Sequence, residues 1–426
     1  MKAKRIKLVS GDLQEEVSIP SKNLVGVLTP KAVQPKGEPE KLIREALENP
    51  VDMKPLENIL DRDSKVTIVV DDATRQTPTR QIIKHVLERL EKIGTKRKNI
   101  LIQIANGMHR LTTEDEKKKI LGEDVLNLFE VQDNYPEDRD CYEYLGKTSR
   151  GTPLYINRRV TNADLVVTIG MIKSHAFAGF TGGAKSIIPG VSSKETILSN
   201  HCFKFVEYPN GILGDAERSV TRRDMEEGAR KLPVFIMNVV LNKENRIIDV
   251  VSGDVVSAHR RGVKTFKEMA EVYLDEPIDL VIVEGGYPGS INLYQALFGC
   301  NVALTTRRPI LKRNGTILFL AQCREGVGSD IIERLFDEFK DPGGVLNYLK
   351  NSETIPEQWA AQFLASFLLI SKIGIVTEGI PKRKLEKLGL IPFNTIQEAI
   401  DSFLSENEDL KIAIIKDPDF VIPNLR

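Results

Sequence analysis

Histidine, lysine, arginine and carboxylate side chains gather in four short segments of this chain. The first is Asp71-Asp72-Ala73-Thr74-Arg75-Gln76-Thr77-Pro78. The second is Asn106-Gly107-Met108-His109-Arg110. The third and longest runs over residues 173–190 and holds His175, Lys185 and four glycines, Gly179, Gly182, Gly183 and Gly190; the fourth is Asn200-His201. An arginine beside a helix start suits the grip of a carboxylate or phosphate, because a guanidinium binds two oxygens at once. Plainer readings stand beside these: a strand-end salt bridge for the first segment, a surface turn for the second, an exposed helix histidine for the fourth. A glycine-rich connector is the plain reading of the third, and it leaves a histidine and a lysine unexplained.

The third segment also invites a nucleotide-triphosphate loop, because glycines let backbone N–H groups approach a ligand closely. That motif needs glycine directly before a lysine that opens a helix. Here Ala184 precedes Lys185, and Pro189-Gly190 would break such a helix within about a turn. A P-loop-like enzyme is the weaker alternative.

The chain has five histidines. His85 lies off the apolar stripe of its helix and His259 near the start of another, so both are expected at the solvated surface. His109, His175 and His201 fall in the segments above. Imidazole supplies acid–base groups and metal ligands near neutral pH. No cysteine or acidic partner stands at zinc spacing. Two acid–base histidines and one lone metal ligand fit better, and a protein that donates one imidazole needs the other ligands from a cofactor.

The elements that must position these segments follow a strand–loop–helix rhythm. Residues 66–70 and 165–169 read as buried strands, with further strands at 100–105 and 234–241. Thr77 with Pro78, Thr113 with Glu116, and Ser192 with Glu195 read as helix starts. Residues 257–273 read as a helix and 274–278 as a linker. The rhythm then restarts with a strand at 280–283, a Gly/Pro loop at 285–290, a helix at 292–304, and strands at 316–320, 373–376 and 412–415. The opening residues read as an edge strand or hairpin.

This pattern predicts an α/β protein of two domains, each with a mostly parallel sheet flanked by helices and with the active site in the interdomain cleft. The boundary is placed near residue 275: a cofactor-binding and catalytic domain over 1–274, and a second α/β domain over 275–426 whose last residues pack back on the first. A length of 426 residues suits two domains. Sixty basic and sixty acidic residues balance, which argues against nucleic acid or an anionic membrane as partner. Four cysteines without a C-x-x-C pair argue against a disulfide frame. No signal-peptide or membrane-length apolar run appears, so a cytoplasmic protein is expected.

In order, D-D-A-T-R-Q-T-P, N-G-M-H-R, S-H-A-F-A-G-F-T-G-G-A-K-S-I-I-P-G and S-N-H, with N-L-Y-Q-A from Asn292 and Gln-Trp at 358–359, resemble the nickel-pincer-nucleotide lactate racemase family. The resemblance spans roughly residues 65–365. It implies an isomerase, a racemase or epimerase that inverts carbon 2 of a 2-hydroxy acid through hydride transfer and a 2-keto acid. It implies a pyridinium-3,5-bisthiocarboxylic acid mononucleotide nickel cofactor attached covalently to Lys185, with His201 as the protein's nickel ligand. By matching position, His109 and His175 are the acid–base pair, Asp72, Tyr294, Gln295 and Trp359 contact the cofactor, and Arg75 holds the substrate carboxylate. Cofactor-biosynthesis proteins are implied as partners. One position departs: where lactate-active relatives carry a lysine four residues after the tyrosine, this chain has Phe298, which points to a 2-hydroxy acid other than lactate. A non-catalytic nickel- or cofactor-binding relative would not need both His109 and His175, and both are present.

Overall fold

A computed structural model describes residues 3–286 and 289–426, so part of the Gly/Pro loop expected at 285–290 lies outside the described residues. The chain forms two compact units. One comprises Ala32–Cys202 and Ala216–Glu268. The other comprises Phe203–Asp215, Met269–Arg426 and the N-terminal stretch up to Lys31.

The division is therefore not a single cut near residue 275. The strand Leu24–Leu28 pairs in parallel with Ile412–Ile415, so the N-terminal stretch completes the sheet built mainly by the C-terminal half. The strand Ile422–Leu425 pairs with Glu271–Leu274, so the last residues close within their own unit. The opening hairpin is present as the antiparallel pair Ala3–Ser10 and Leu13–Pro20.

Both units carry the expected mostly parallel sheet. In the unit holding the four segments the strand order is Ile247–Asp254, Val234–Leu241, Leu165–Ile172, Val66–Asp71, Ile100–Ala105, Glu130–Asp133. Only the Ile247–Asp254 pairing is antiparallel. The strands Leu165–Ile172 and Val234–Leu241 are buried at every residue, as apolar runs covered on both faces must be. The chain order reverses between Val66–Asp71 and Leu165–Ile172, and loops leaving that switch point splay apart to leave a crevice at the strands' carboxyl ends. The other sheet is parallel throughout, in the order Ile391–Pro392, Lys372–Val376, Leu311–Leu320, Ile278–Glu284, Ile412–Ile415, Leu24–Leu28.

Several element ends differ from the expected ones. Thr113 and Glu116 form the expected capping box. Ser193, not Ser192, caps the helix Lys194–Asn200. The Ser192 hydroxyl donates instead to the Ile187 carbonyl at 2.7 Å. Thr77 does not cap either: its hydroxyl donates to Asp71 Oδ2 at 2.6 Å, and the helix Thr79–Ile93 starts after Pro78. The helix from Ser257 ends at Ala270, where the strand Glu271–Leu274 begins. The helix expected over 292–304 is two, Leu293–Ala296 and Phe298–Leu304. His85 is buried, not solvated, because its Nε2 meets Glu40 across the Pro39–Glu48 helix and its Nδ1 lies 3.4 Å from Glu88. None of the four cysteines is in a disulfide. Among the described residues no helix is long and apolar enough to cross a membrane.

Candidate active site

Three of the four segments leave the carboxyl ends of neighbouring strands. Asp71 ends its strand and Asp72 begins the loop beyond it; His109 lies four residues past Ala105, and His175 three past Ile172. Strand order thus brings together side chains that lie up to about a hundred residues apart in sequence.

The His109 turn is rigid. Gly107 has φ +53°, and a Cβ there would lie 3.4 Å from the Pro189 carbonyl oxygen, so glycine fits. Its N–H donates to the Gly190 carbonyl at 3.0 Å. Asn106 and Asn134 clasp beneath it: Asn106 Nδ2 donates to the Asn134 carbonyl at 3.0 Å, and the Asn134 N–H donates to Asn106 Oδ1 at 2.7 Å. The imidazole above is half exposed, and its Nδ1 lies 2.7 Å from Oδ2 of buried Asp72. Burial pushes the Asp72 carboxyl up, but His109, the Thr74 hydroxyl and Arg75 outweigh it and hold the group at about 2. An ionised carboxylate only accepts, so Nδ1 of His109 is the donor and Nε2 of the neutral ring keeps its lone pair. Arg75 is exposed.

The long segment is a different environment. Residues Ser174–His175 and Gly179–Phe180 form a miniature hairpin, and Gly183–Ser186 a single 3-10 turn that carries Lys185. No long helix follows Lys185, as the Pro189-Gly190 reading required. Gly179, Gly182 and Gly183 all take positive φ. A Cβ on Gly182 would sit 2.9 Å from the Met171 carbonyl oxygen, so glycine is required where the loop turns back on its strand. His175 Nδ1 accepts from the Ala178 amide at 3.3 Å. Phe177 stands edge-on to both His175 and His201, at centroid distances of 4.7 and 5.0 Å. The three rings thus form one row.

Burial dominates the electrostatics here. It drives the proton affinity of His175 well below the usual histidine range, and the charges of Lys185, Arg75, His201 and Arg222 act in the same direction. Burial, then Arg75 and Arg222, bring the Lys185 amine down to about 7, against the opposing pull of Asp71 and Asp72. His201, buried at the carboxyl end of the Lys194–Asn200 helix, is lowered to about 3 by burial and by Lys185. Asp71, at the strand end, is raised by burial despite its bond from Thr77.

In the other unit, Tyr294 and Gln295 lie in the helix Leu293–Ala296, which Asn292 caps by accepting from the Gln295 N–H at 3.0 Å. Trp359, in the helix Gln358–Leu368, donates its indole N–H to the Tyr294 hydroxyl at 3.1 Å. Phe298 is half-buried at the first position of the helix Phe298–Leu304.

Comparison with known proteins settles the relationship. Residues 10–213 match the lactate racemase N-terminal domain and residues 275–422 the lactate racemase C-terminal domain. The chain belongs to the lactate racemase family. It is 34% identical to the lactate racemase of Thermoanaerobacterium thermosaccharolyticum over 427 aligned residues, covering 98% of each chain. It is 30% identical to that of Lactiplantibacillus plantarum, covering 94% of this chain and 95% of that one. The solved Thermoanaerobacterium thermosaccharolyticum lactate racemase apoprotein superposes with a TM-score of 0.90 at 33% identity, over 99% of this chain and 100% of that one.

Three residues that hold this racemase-family site were not singled out as functional from sequence. Asn238 Oδ1 accepts from the Gly183 N–H at 2.8 Å. It interrupts the otherwise apolar strand Val234–Leu241, and a lone amide in such a run was a readable signal. His259 is fully buried, contrary to the solvated surface expected, because its helix packs beneath the long segment: Nε2 lies 2.9 Å from the Thr181 carbonyl oxygen, and its ring underlies Gly183. Arg222 is also fully buried, and its neighbours in T-R-R-D-M-E-E look like a solvated helix.

Proposed function

We propose that this chain inverts carbon 2 of a 2-hydroxy acid larger than lactate, with Lys185 carrying a nickel-pincer nucleotide and His109 and His175 moving protons. The observation that supports it most is the gathering of Asp72, Arg75, His109, His175, Lys185 and His201 within mutual electrostatic influence beside one sheet switch point.

The side chains fit the group the family implies. An amine with a proton affinity near pH 7 presents a lone pair to an acyl carbon in a large fraction of molecules at neutral pH. His201 stays neutral at that pH, as a metal ligand must. Among the described residues no three His, Cys, Asp or Glu side chains form a metal-holding group, so a nickel ion bound through His201 would take ligands from the cofactor as well. When bound, the cofactor supplies a hydride acceptor and a Lewis acid.

The protein's own part is binding and proton transfer. Arg75 takes the substrate carboxylate with a two-pronged grip. His109, with Asp72 on Nδ1, takes the hydroxyl proton at Nε2. The Asp72 carboxylate stabilises the imidazolium that results. Inversion needs a second acid–base group on the other face, and His175, on a separate loop, takes that role: neutral at rest, it is the base toward one enantiomer, and it acts as acid only after taking a proton from solvent. Tyr294, Gln295 and Trp359 contact the cofactor, with the Tyr294–Trp359 hydrogen bond fixing two flat rings. Proteins that build and deliver the cofactor are its partners.

Phe298 argues for the larger substrate. Exchanging an ammonium for a phenyl ring removes a charge-assisted hydrogen bond worth ~1.5–3 kcal/mol. That is a factor of roughly ten to a hundred in binding or rate. An apolar or sugar-derived side chain packs on the ring instead. The test is a panel of single-enantiomer 2-hydroxy acids given to cofactor-loaded protein, with chiral separation of products. Longer acids should exceed lactate in kcat/KM, and Phe298→Lys should reverse the order. A wild type that prefers lactate, or an unchanged ratio in Phe298→Lys, contradicts the substrate assignment.

A further inference from the structure

The helix Val220–Ala229 carries three buried charges, Arg222, Asp224 and Glu226, and each meets different partners. Glu226 is occupied by Arg260, which donates to both of its oxygens at 2.7 and 3.0 Å. Asp224 accepts from Thr148 at 2.6 Å, from Thr152 at 2.7 Å and from Asn200, the neighbour of His201, at 2.7 Å. Arg222 is left to neutral acceptors. Its Nε donates to the Ala178 carbonyl at 3.1 Å, its Nη1 to Gly182 at 2.9 Å, and its Nη2 to Phe180. Ser219, which caps this helix, donates to the Phe177 carbonyl at 2.6 Å. Four carbonyls between His175 and Lys185 therefore point at one helix start.

Among the described residues no carboxylate lies within ion-pair distance of this fully buried guanidinium, and the charge of Glu226 offsets its desolvation only in part; an apolar side chain would fill the same volume without that cost. Its planar fork, however, matches carbonyls at fixed angles to one another, which no apolar side chain and no lysine reproduces. Glycines at 179, 182 and 183 leave this backbone with few steric limits of its own. Something else must hold it in one conformation.

We propose that Arg222 is the positioning residue of this site: its three-pronged grip on the backbone between His175 and Lys185 sets where both side chains stand. The proposal rests on the reading of Lys185 and His175 given above. Burial brings the guanidinium down to about 10, so it is charged throughout the working range. Its field also opposes protonation of both side chains it positions.

The test uses Arg222→Lys, which keeps the charge and loses the fork, and Arg222→Gln, with Val86→Ala in the distant helix Thr79–Ile93 as a control for general destabilisation. Amide hydrogen exchange is measured on the unloaded protein. Residues 176–186 should exchange roughly tenfold faster or more in both Arg222 variants, with the Leu165–Ile172 strand unchanged. Val86→Ala should raise exchange across its unit instead. In loaded enzyme, Arg222→Lys should lower kcat ~10-fold or more and leave KM within about twofold, because Arg75 still holds the carboxylate. Wild-type exchange over 176–186, exchange rising in parallel throughout the unit, or a loss confined to KM overturns the proposal. The exchange arm needs no cofactor, so an error about the anchor shows separately, as an adduct that survives Lys185→Ala.

Discussion

The two loop systems beside the switch point treat their titratable groups in opposite ways. On the Asp72–His109 side the imidazole is half exposed, a buried carboxylate lies 2.7 Å from its Nδ1, and Arg75 is exposed. On the Gly-rich side His175, Lys185 and His201 are desolvated among cations, and all three are pushed toward their neutral forms. The contrast is chemical. On the proposed reading, one proton-moving histidine and the carboxylate-binding arginine stand on the polar, more open side, while the second histidine, the cofactor lysine and the metal ligand stand where lone pairs stay free.

The largest effect should come from the neutral side. Lys185→Ala should abolish the covalent adduct seen by intact mass in protein from a cofactor-making host. Persistence of the adduct would place the anchor elsewhere and dissolve the contrast. Next, His109→Ala and His175→Ala should each lower turnover ~10²-fold or more with nickel content per chain near wild type, while His201→Ala loses nickel. Equal nickel loss in all three would mean that the two sides are not divided by role.

Asp72→Asn sharpens the comparison further. A carboxamide cannot stabilise the His109 imidazolium, so turnover should fall about tenfold or more with nickel content maintained. A wild-type rate would show that the 2.7 Å contact does not matter for His109.

The smallest effect is on stability. His201 is lowered from 6.5 to about 3 on folding, so between those values the unfolded chain binds more protons and stability rises with pH. Acidifying the unloaded protein from pH 6.5 toward 3 should therefore lower its Tm, with His175 contributing in the same direction. His201→Gln should flatten part of that slope. An unchanged slope would remove His201 from the desolvated set.

Much of this arrangement was legible in the residues. Runs such as Val66–Val70 in the strand Val66–Asp71 can be buried only on both faces, which implied parallel sheets and loops with chemistry at their carboxyl ends. The Asp72–His109 contact was not legible, because two loops meet only through the pairing of Val66–Asp71 with Ile100–Ala105. His85 and His259 misled for one reason: helical periodicity shows which face is apolar, but not that a second element covers the polar face. The N-terminal stretch likewise joins the C-terminal sheet through a strand pairing nearly four hundred residues away in sequence.

The most direct test of the account is the interconversion of the two enantiomers of a preferred 2-hydroxy acid by loaded wild type, His109→Ala and His175→Ala, with nickel measured on the same samples. Wild type should convert either enantiomer to the mixture. Each variant should lose at least ~10²-fold of the rate from both starting enantiomers with its nickel intact, because inversion needs a group on each face. A variant that keeps its metal and still interconverts them at the wild-type rate would contradict the two-histidine mechanism.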